Sequence, residues 1–224
     1  MLQHRFKLVI FDFDGTLVDS QYNIHRNMVA AFLENGLNAP TLDDVRHIVG
    51  LKLEYAVAEM LPDGSPWELA CCVSDSYRES FIKARELPEF DEPVFPGVRG
   101  MLDRLNKPDT LLAIATGKNL RGLKKSLEHH DLSEYFVTLK TADDGPGKPH
   151  PEILHQAMAE NGVSASDTVM IGDTTYDIEM ARSAGVAAVG VSWGYHTNEQ
   201  LVQAGAHTIV KSCEELPTSF LDLL

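Results

Sequence analysis

LVIFDFDGTLVDS, residues 8–20, joins an apolar, β-prone run to two carboxylates that stand one residue apart. Residues 9–11 have the pattern of a short strand buried on both faces, and Gly15 begins the turn that ends it. In an open α/β sheet, ligands bind outside the carboxyl ends of the strands. The sequence therefore predicts that Asp12 and Asp14 lie at the edge of the sheet where chemistry takes place.

The close spacing of the two aspartates predicts a bound cation. Carboxylates at positions i and i+2 repel each other, and burying both is costly unless a cation or a shared proton compensates. Mg²⁺ takes oxygen ligands and commonly rests on one or two carboxylates together with waters and substrate phosphate. In the alternative interpretation, Asp12 caps a turn and Asp14-Gly15 forms an ordinary corner, but the downstream motifs argue against it.

Length and composition limit the classes of function. A chain of 224 residues can bury a sizeable core, either as one large domain or as a domain with an inserted lobe. The formal net charge of −14 argues against a nucleic-acid backbone or an anionic membrane as the main partner. Cys71, Cys72 and Cys213 have neither disulfide-framework nor metal-site spacing and predict reduced, mostly buried thiols. Because nothing resembles a signal peptide or a long apolar span, we expect a cytoplasmic protein, either a monomer or a homodimer.

A long helical block follows the acidic loop. The helix period holds for about seventy residues, with Ser20 and Thr41 as predicted N-caps and further helices around residues 53–61 and 67–87. No strand signal interrupts this block. A helical block placed directly after one strand is not the next unit of a parallel sheet, so the pattern predicts an inserted lobe.

The α/β alternation resumes after a Pro- and Gly-punctuated hinge at residues 88–97. Strand, polar loop and helix then repeat, which predicts a Rossmann-like core built on a parallel sheet. The later strands are predicted at residues 111–115, 135–139, 168–171, 186–191 and 208–210. The predicted division is a core of residues 1–17 and 91–224 with an α-helical cap domain at residues 18–90.

Polar residues follow the predicted strands and should converge on one crevice, because each polar loop begins where a parallel strand ends. Those facing the acidic pair are Thr116, Lys148, Asp173 and Asp177. A carboxylate can attack phosphorus to form an aspartyl phosphate, and a second acid can protonate the leaving alkoxide and later deprotonate water. The residues alone therefore predict a magnesium-dependent phosphoryl-transfer site.

The remaining polar residues fit such a site. Thr116 and the Gly117 amide could hold phosphate oxygens, while Lys148 could neutralise the charge of phosphate and nucleophile. Asp173 could complete the magnesium site, and Asp177, one helical turn later, would face the same way. The alternatives are that Lys148 is a solvated loop lysine and that Asp177 only provides a favourable first-turn helix charge.

Four stretches of the chain resemble, in order, the four signatures of the haloacid dehalogenase superfamily of phosphohydrolases. They are FDFDGTLVDS at 11–20, ATGK at 115–118, GKPHP at 147–151 and GDTTYD at 172–177. The spacing between the first two is similar to that of members with a helical cap inserted after the first strand. The resemblance spans residues 7–190 and is greatest to the phosphoglycolate phosphatase-like branch.

The resemblance implies a role for each matched residue. It implies Asp12 as nucleophile and magnesium ligand, Asp14 as general acid/base with its backbone carbonyl on the metal, Thr116 as phosphate binder, Lys148 as charge stabiliser, Asp173 as magnesium ligand and Asp177 as support of the metal site. In the same signatures, Gly15, Thr16, Gly117 and Lys118 are expected to contact the substrate. The implied cofactor is Mg²⁺, and the implied partner is a small phosphorylated metabolite.

Some assignments near the substrate stay open at the sequence level. Lys118 and Arg121 are either phosphate-side cations or surface charges near a helix start. In the cap stretch at residues 46–53, Arg46 or Lys52 could bind a substrate carboxylate, as a phosphoglycolate-type ligand requires. The alternative for that stretch is an exposed amphipathic helix end.

The preferred interpretation is a magnesium-dependent phosphatase that hydrolyses a small phosphoglycolate-like metabolite through an aspartyl phosphate. A β-phosphoglucomutase-like sugar phosphomutase differs mainly in protecting that intermediate from water, and the sequence does not exclude it. A phosphonate-cleaving hydrolase would use a cap lysine such as Lys52 to form a Schiff base. A haloalkanoic acid dehalogenase does not need a second acid, so the presence of Asp14 argues against it. A non-catalytic phosphate-ester-binding module does not need a complete set of reactive residues, so their presence argues against that alternative.

Overall fold

The core of the protein is a six-stranded parallel sheet in the order β3-β2-β1-β4-β5-β6. The computed structural model describes residues 6–88 and 90–216. The strands are β1 (Leu8–Phe11), β2 (Leu111–Ala115), β3 (Thr138–Lys140), β4 (Thr168–Gly172), β5 (Ala187–Val191) and β6 (Thr208–Val210). Because the chain runs outward from β1 to β3 and then returns to β4, the topological switch point lies between β1 and β4, where such folds bind ligands.

Helices cover both faces of this sheet, and a separate group of helices follows β1. The separate group consists of α1 (Gln21–Glu34), α2 (Leu42–Ile48), α3 (Leu53–Met60) and α4 (Trp67–Ala84). The helices around the sheet are α5 (Val98–Leu105), α6 (Leu120–His129), α7 (Glu152–Asn161), α8 (Thr175–Ser183) and α9 (Asn198–Gln203). The fold is therefore α/β with a Rossmann-like core.

The central strand explains why the core has two apolar layers. Successive side chains of a strand point to opposite faces of the sheet. Val9 and Phe11 accordingly pack with residues of α5 and α6, whereas Leu8 and Ile10 pack with residues of α7 and α8. All four side chains are fully buried. This double burial fixes the position of the residues that follow β1.

Residues 20–92, here called the helical lobe, have an apolar core of their own. Ile24 and Met28 of α1 pack there with Val57 of α3 and Val73 of α4. The lobe joins the core through two paired segments, called here the stem. In the stem, the Asp19 N–H donates to Pro93 O at 2.8 Å and the Phe95 N–H donates to Leu17 O at 3.0 Å.

Three structural details differ from the sequence-based expectations. The third strand is Thr138–Lys140 rather than 135–139, because Ser133–Tyr135 forms a 3₁₀ turn first. Helix α9 was not predicted. The expectation of mostly buried thiols is wrong for Cys72, which is exposed on α4, although Cys213 is buried.

Candidate active site

Asp12 lies directly beyond β1 and is fully buried. Its N–H donates to Ile171 O at 2.9 Å, which extends the pairing of β1 with β4 by one residue. Its Oδ1 accepts from the Phe13 N–H at 2.6 Å and lies 2.8 Å from Lys148 Nζ. Asp12 Oδ2 is buried and has no hydrogen-bond partner among the described residues. One oxygen of this carboxylate is thus held by the protein while the other is available to a ligand.

Lys148 supplies the positive charge of this crevice. Its side chain is fully buried, and Nζ contacts Asp177 Oδ1 at 2.5 Å as well as Asp12. Burial alone would lower the pKa of Lys148, but the charges of Asp12 and Asp177 outweigh it and raise the pKa above its usual value. The sequence left open whether this residue is a solvated loop lysine, and the buried geometry excludes that interpretation.

Asp173 directly follows β4, and its side chain lies in the same crevice as Asp12. Its Oδ1 accepts from Thr16 Oγ1 at 2.8 Å, and its Oδ2 accepts from the Tyr195 N–H at 2.9 Å. Gly15 makes this approach possible, because it has a φ of +88° and a Cβ there would lie 2.2 Å from Asp173 Oδ2. The hydroxyl of Thr16 is thus engaged with Asp173.

Asp177 lies in the first turn of α8 and is fully buried. Its Oδ2 accepts from the Thr174 N–H at 3.0 Å and from Thr174 Oγ1 at 2.7 Å. Since its Oδ1 is bound by Lys148, both carboxylate oxygens of Asp177 already have protein donors. This arrangement holds Lys148 in place.

The three buried carboxylates form a cluster with the chemistry of a hard-cation site. Asp12, Asp173 and Asp177 each offer an oxygen, and these oxygens lie within 4.8 Å of one another. Burial, reinforced by the charges of its two neighbours, raises the pKa of Asp173 well above its usual value. Burial also raises the pKa of Asp12 to about 7, with Lys148 opposing the shift and Asp177 adding to it. Such mutual repulsion is relieved by a divalent cation, and the unpartnered Asp12 Oδ2 fits that requirement.

Asp14 faces away from this cluster toward the helical lobe. Its Oδ1 accepts from Lys118 Nζ at 2.8 Å and from Ser20 Oγ at 2.7 Å. Lys118 Nζ also lies 3.8 Å from Glu92 Oε1, in a side chain that is only 2% exposed. Lys118 is therefore neither a surface charge nor an unengaged phosphate ligand, because it is paired with Asp14. The hydroxyl of Ser20, the N-cap residue of α1, bonds Asp14 rather than the helix.

Thr116 and Gly117 follow β2 and meet the lobe. Thr116 is buried, and its Oγ1 accepts from the Lys118 N–H at 3.3 Å. A Cβ on Gly117 would lie 2.4 Å from Gly50 O and 2.7 Å from Leu51 O. The loop that begins at Gly50 is therefore in close contact with the residues that follow β2.

A cavity of about 460 Å³ opens beside these residues, between the core and the lobe. The residues from the core that line it include Asp14, Thr116, Gly117, Lys118 and Arg121. The residues from the lobe include Met28, Leu51, Lys52, Tyr77, Phe81 and Ile82. The cavity thus joins the polar crevice to an apolar wall.

The two cap cations considered for substrate binding are placed differently. Lys52 lines the cavity, with Nζ 3.5 Å from Gly145 O. Arg46 donates from Nε to Gln21 Oε1 at 2.7 Å and from Nη1 to Asp43 Oδ1 at 3.0 Å. Among the residues that the structure describes, Arg46 does not line the cavity. The structure thus brings Lys52, but not Arg46, to this cavity.

Sequence reasoning missed a set of contacts between lobe and core that involve residues 193–196. The Ser20 N–H donates to Tyr195 Oη at 3.1 Å. His196 Nδ1 accepts from the Thr175 N–H at 3.1 Å, and its ring stacks on that of His47 with centroids 5.5 Å apart. No local pattern marks these residues, because their partners are far away in the sequence.

Comparison with known proteins agrees with this geometry. The family model described as haloacid dehalogenase-like hydrolase matches residues 9–191. The chain is 38% identical over 210 residues to "Probable phosphatase IndB" of Dickeya dadantii, covering 93% of this chain and 91% of that protein. It is 30% identical over 227 residues to a phosphoglycolate phosphatase of Vibrio parahaemolyticus, covering 96% of each.

A solved structure has the same architecture. It is described as a "predicted phosphatase from Clostridium acetobutylicum", has a TM-score of 0.86 at 28% identity, and the match covers 97% of this chain and 99% of that one. These matches show that the protein is a hydrolase with an α/β fold. The chain belongs to the haloacid dehalogenase-like hydrolase family, and its relatives support its classification as a phosphatase. Within residues 6–88 and 90–216, none of the helices has the length and apolar character needed to cross a bilayer.

Proposed function

We propose that the protein is a magnesium-dependent phosphatase that hydrolyses a small phosphate monoester through an aspartyl phosphate on Asp12. The observation that carries this proposal is the asymmetry of the Asp12 carboxylate. Its Oδ1 is held by Lys148 and by the Phe13 N–H, whereas its buried Oδ2 has no partner among the described residues. A buried carboxylate oxygen without a protein partner can bind a cation or attack phosphorus, whereas a structural carboxylate would have both oxygens hydrogen-bonded.

In the first step, the Asp12 carboxylate forms a bond to phosphorus as the bond from phosphorus to the ester oxygen breaks. Asp14, carrying a proton, donates it to the leaving oxygen, and the alcohol departs. In the second step, water attacks the aspartyl phosphate and gives a proton to Asp14. Inorganic phosphate leaves, and Asp12 is restored.

The transferred group is held by residues of the core. Thr116 and Gly117 follow β2. We propose that the Thr116 hydroxyl and the Gly117 N–H donate to phosphoryl oxygens. Lys148, buried against Asp12, offsets the negative charge that phosphate brings into the crevice. Asp177 supports this step by fixing Lys148.

Mg²⁺ fits the acidic cluster, because its donors are oxygens and one of them is unpartnered. We infer that Asp12, Asp173 and the backbone carbonyl of Asp14 hold the ion, with Asp177 in support. A bound Mg²⁺ neutralises carboxylate charge and polarises a phosphoryl oxygen. Asp173 stays aligned for this role through the Thr16 hydroxyl and the Tyr195 N–H.

We propose that residues 18–90, which contain the four helices of the helical lobe, form a cap that closes over a core of residues 1–17 and 91–224. Closure of such a lobe excludes water during the first transfer. The lobe contacts the core at Gly117 through Gly50 and at His196 through His47, which supports a cap role. The cytoplasm remains the predicted compartment, which the three free cysteines support, and a monomer or homodimer remains the predicted state.

The test is phosphate release with Mg²⁺ from a panel of small esters that includes phosphoglycolate, the substrate named for several relatives, and hexose phosphates. We expect turnover by the wild type and none by Asp12→Asn, whose circular dichroism should be unchanged. Retained turnover in Asp12→Asn would contradict the nucleophile assignment. Release of alcohol without net phosphate in the presence of a second sugar phosphate would indicate a phosphomutase instead.

A further inference from the structure

The cavity beside Asp14 is larger than a two-carbon leaving group requires. Its volume of about 460 Å³ falls within the range of about 300–1,000 Å³ that is typical of sites for drug-sized ligands. A water molecule occupies roughly 30 Å³ of liquid, so a glycolate group, with only a handful of non-hydrogen atoms, fills a minor part of this space. The remaining space can hold a larger alcohol group.

The space next to the general acid is lined by aromatic side chains. Tyr77 and Phe81 lie one turn apart on the same face of α4, and their ring centroids are 5.6 Å apart. Lys118 Nζ, which holds Asp14, lies 5.7 Å from the centroid of Phe81. Tyr77 and Asp14 line the same cavity. An aromatic wall therefore lies beside the proposed general acid.

Two cations of the lobe beside this wall, Arg78 and Arg85, are already paired. Arg78 contacts Glu54 and Asp75. Arg85 donates to Ser126 Oγ at 2.9 Å and lies 3.7 Å from Glu92 Oε2. A ligand carboxylate placed between Asp14 and Phe81 would find no unpaired cation on α4 within the described residues.

Among the described lobe cations that line the cavity, Lys52 has only a long contact to the protein, at 3.5 Å from Gly145 O. On the core side, Arg121 and Lys125 also line the cavity. The cavity lining therefore allows two substrate classes to be distinguished, those with an acidic and those with an apolar leaving group. A small acidic leaving group would depend on Lys52, whereas an apolar one would depend on Tyr77, Phe81 and their neighbours.

We propose that the preferred substrate is a phosphate monoester whose alcohol carries an aromatic or similarly sized apolar ring. The ring packs between α4 and the loop around Leu51, and the ester oxygen lies at Asp14. This inference rests on the proposed phosphatase function and specifies its substrate class.

The first experiment compares esters with alkyl leaving groups, so that the chemistry of the leaving oxygen is similar. The probes are 2-phenylethyl phosphate, ethyl phosphate and phosphoglycolate, each assayed with Mg²⁺. We expect kcat/KM for 2-phenylethyl phosphate to exceed both others by about 10- to 100-fold. An equal or higher kcat/KM for phosphoglycolate overturns the inference and leaves the phosphatase proposal in place.

The second experiment fills the cavity from an exposed position. Ile82 lines it and is 46% exposed, so Ile82→Trp adds bulk with little risk to folding. We expect a loss of about tenfold or more in kcat/KM for 2-phenylethyl phosphate and little change for ethyl phosphate. Val202→Trp, at a 61% exposed site on α9, is the matched control.

Lys52→Met completes the contrast. We expect it to lower kcat/KM for phosphoglycolate by about tenfold more than kcat/KM for 2-phenylethyl phosphate. An unchanged preference in Ile82→Trp overturns the placement of the ring. Failure to release phosphate from any ester, or turnover that survives Asp12→Asn, contradicts the proposed function itself.

Discussion

Lys118 Nζ contacts both carboxylate oxygens of Asp14, at 2.8 Å from Oδ1 and 3.0 Å from Oδ2. Each side chain is only 10% exposed. Burial alone would lower the pKa of Lys118, but the charges of Asp14 and Glu92 raise it, so the ammonium stays charged at neutral pH. Because Glu92 belongs to the return segment of the lobe, the proposed general acid is linked electrostatically to that lobe through Lys118.

Removing this ammonium should damage both catalysis and stability. In Lys118→Met, Asp14 keeps Ser20 as a donor but loses its charge partner. We expect kcat to fall by about 10- to 100-fold and the free energy of unfolding to fall by about 3–5 kcal/mol. Urea unfolding and steady-state kinetics measure the two effects. Lys124→Met, an exposed change on α6, is the control. A wild-type kcat in Lys118→Met would contradict the role of Lys118 in positioning Asp14.

Adding one methyl group at Gly117 should displace the lobe. The new Cβ would lie 2.4 Å from Gly50 O, and a backbone carbonyl cannot move aside as a flexible side chain can. We expect Gly117→Ala to lower kcat/KM by about 10- to 100-fold, since small displacements at a reacting site are costly. In the control, Gly100→Ala in α5, the nearest atom to the new Cβ is Arg104 Nη1 at 3.7 Å. Equal kinetics in the two variants would show that the Gly50 contact does not matter for turnover.

Mg²⁺ should raise the thermal stability, because it relieves repulsion among buried carboxylates. At a concentration of about 100 times Kd, one bound ion adds about 2.7 kcal/mol, or a rise in Tm of roughly 5 °C or more for a chain of this size. Asp173→Asn should abolish the rise, whereas the exposed Asp109→Asn should keep it. Differential scanning calorimetry with Mg²⁺ and with EDTA measures the shift. A rise that persists in Asp173→Asn would place the ion elsewhere.

Acid should weaken the contact between His196 and the lobe. His196 Nδ1 accepts from the Thr175 N–H, which requires a neutral ring. Burial, reinforced by the charge of His47 and opposed by Asp177 and by the backbone of His47, lowers the pKa of His196 below its usual 6.5. The unfolded chain therefore takes up this proton first, so the contribution of His196 is complete above about pH 6.5 and is lost as the pH falls from that value through the lower pKa of the folded state.

Urea unfolding at pH 5, 6 and 7.5 tests this contribution. The free energy of unfolding should fall more steeply toward pH 5 in the wild type than in His196→Asn, whose amide oxygen can accept from Thr175 at any of these pH values. The exposed His155→Asn is the matched control. Parallel curves for the wild type and His196→Asn would refute the assignment.

Local patterns were sufficient to predict the sheet and the polar crevice. An apolar run that ends in acidic residues identifies both the strand and its functional end, as at β1 with Asp12 and β4 with Asp173. The cap of α2 was also predictable, because Thr41 Oγ1 accepts from the Asp44 N–H only three residues away. These features depend on residues that are close together in the chain, so they can be predicted from the sequence alone.

Other parts of the site depend on contacts between distant residues. Ser20 resembles an ordinary helix cap, and only the folded chain shows its hydroxyl bound to Asp14. The pairing of Lys118 with Asp14 joins two residues 104 positions apart, so the sequence could not decide between a phosphate ligand and a surface charge. Tyr195 and His196 lie in a loop whose composition carries no signal, although both touch the lobe.

The stem has a consequence for how this enzyme can change over evolutionary time. The chain leaves the core beside Leu17 and returns beside Phe95, and these two residues are hydrogen-bonded to each other at 3.0 Å. The ends of the lobe are therefore already together, and the entropy of closing such a loop grows only with the logarithm of its length. The lobe can be lengthened, shortened or exchanged at little cost to the sheet. Selectivity can thus diversify as an interchangeable module while the reactive aspartates keep their positions.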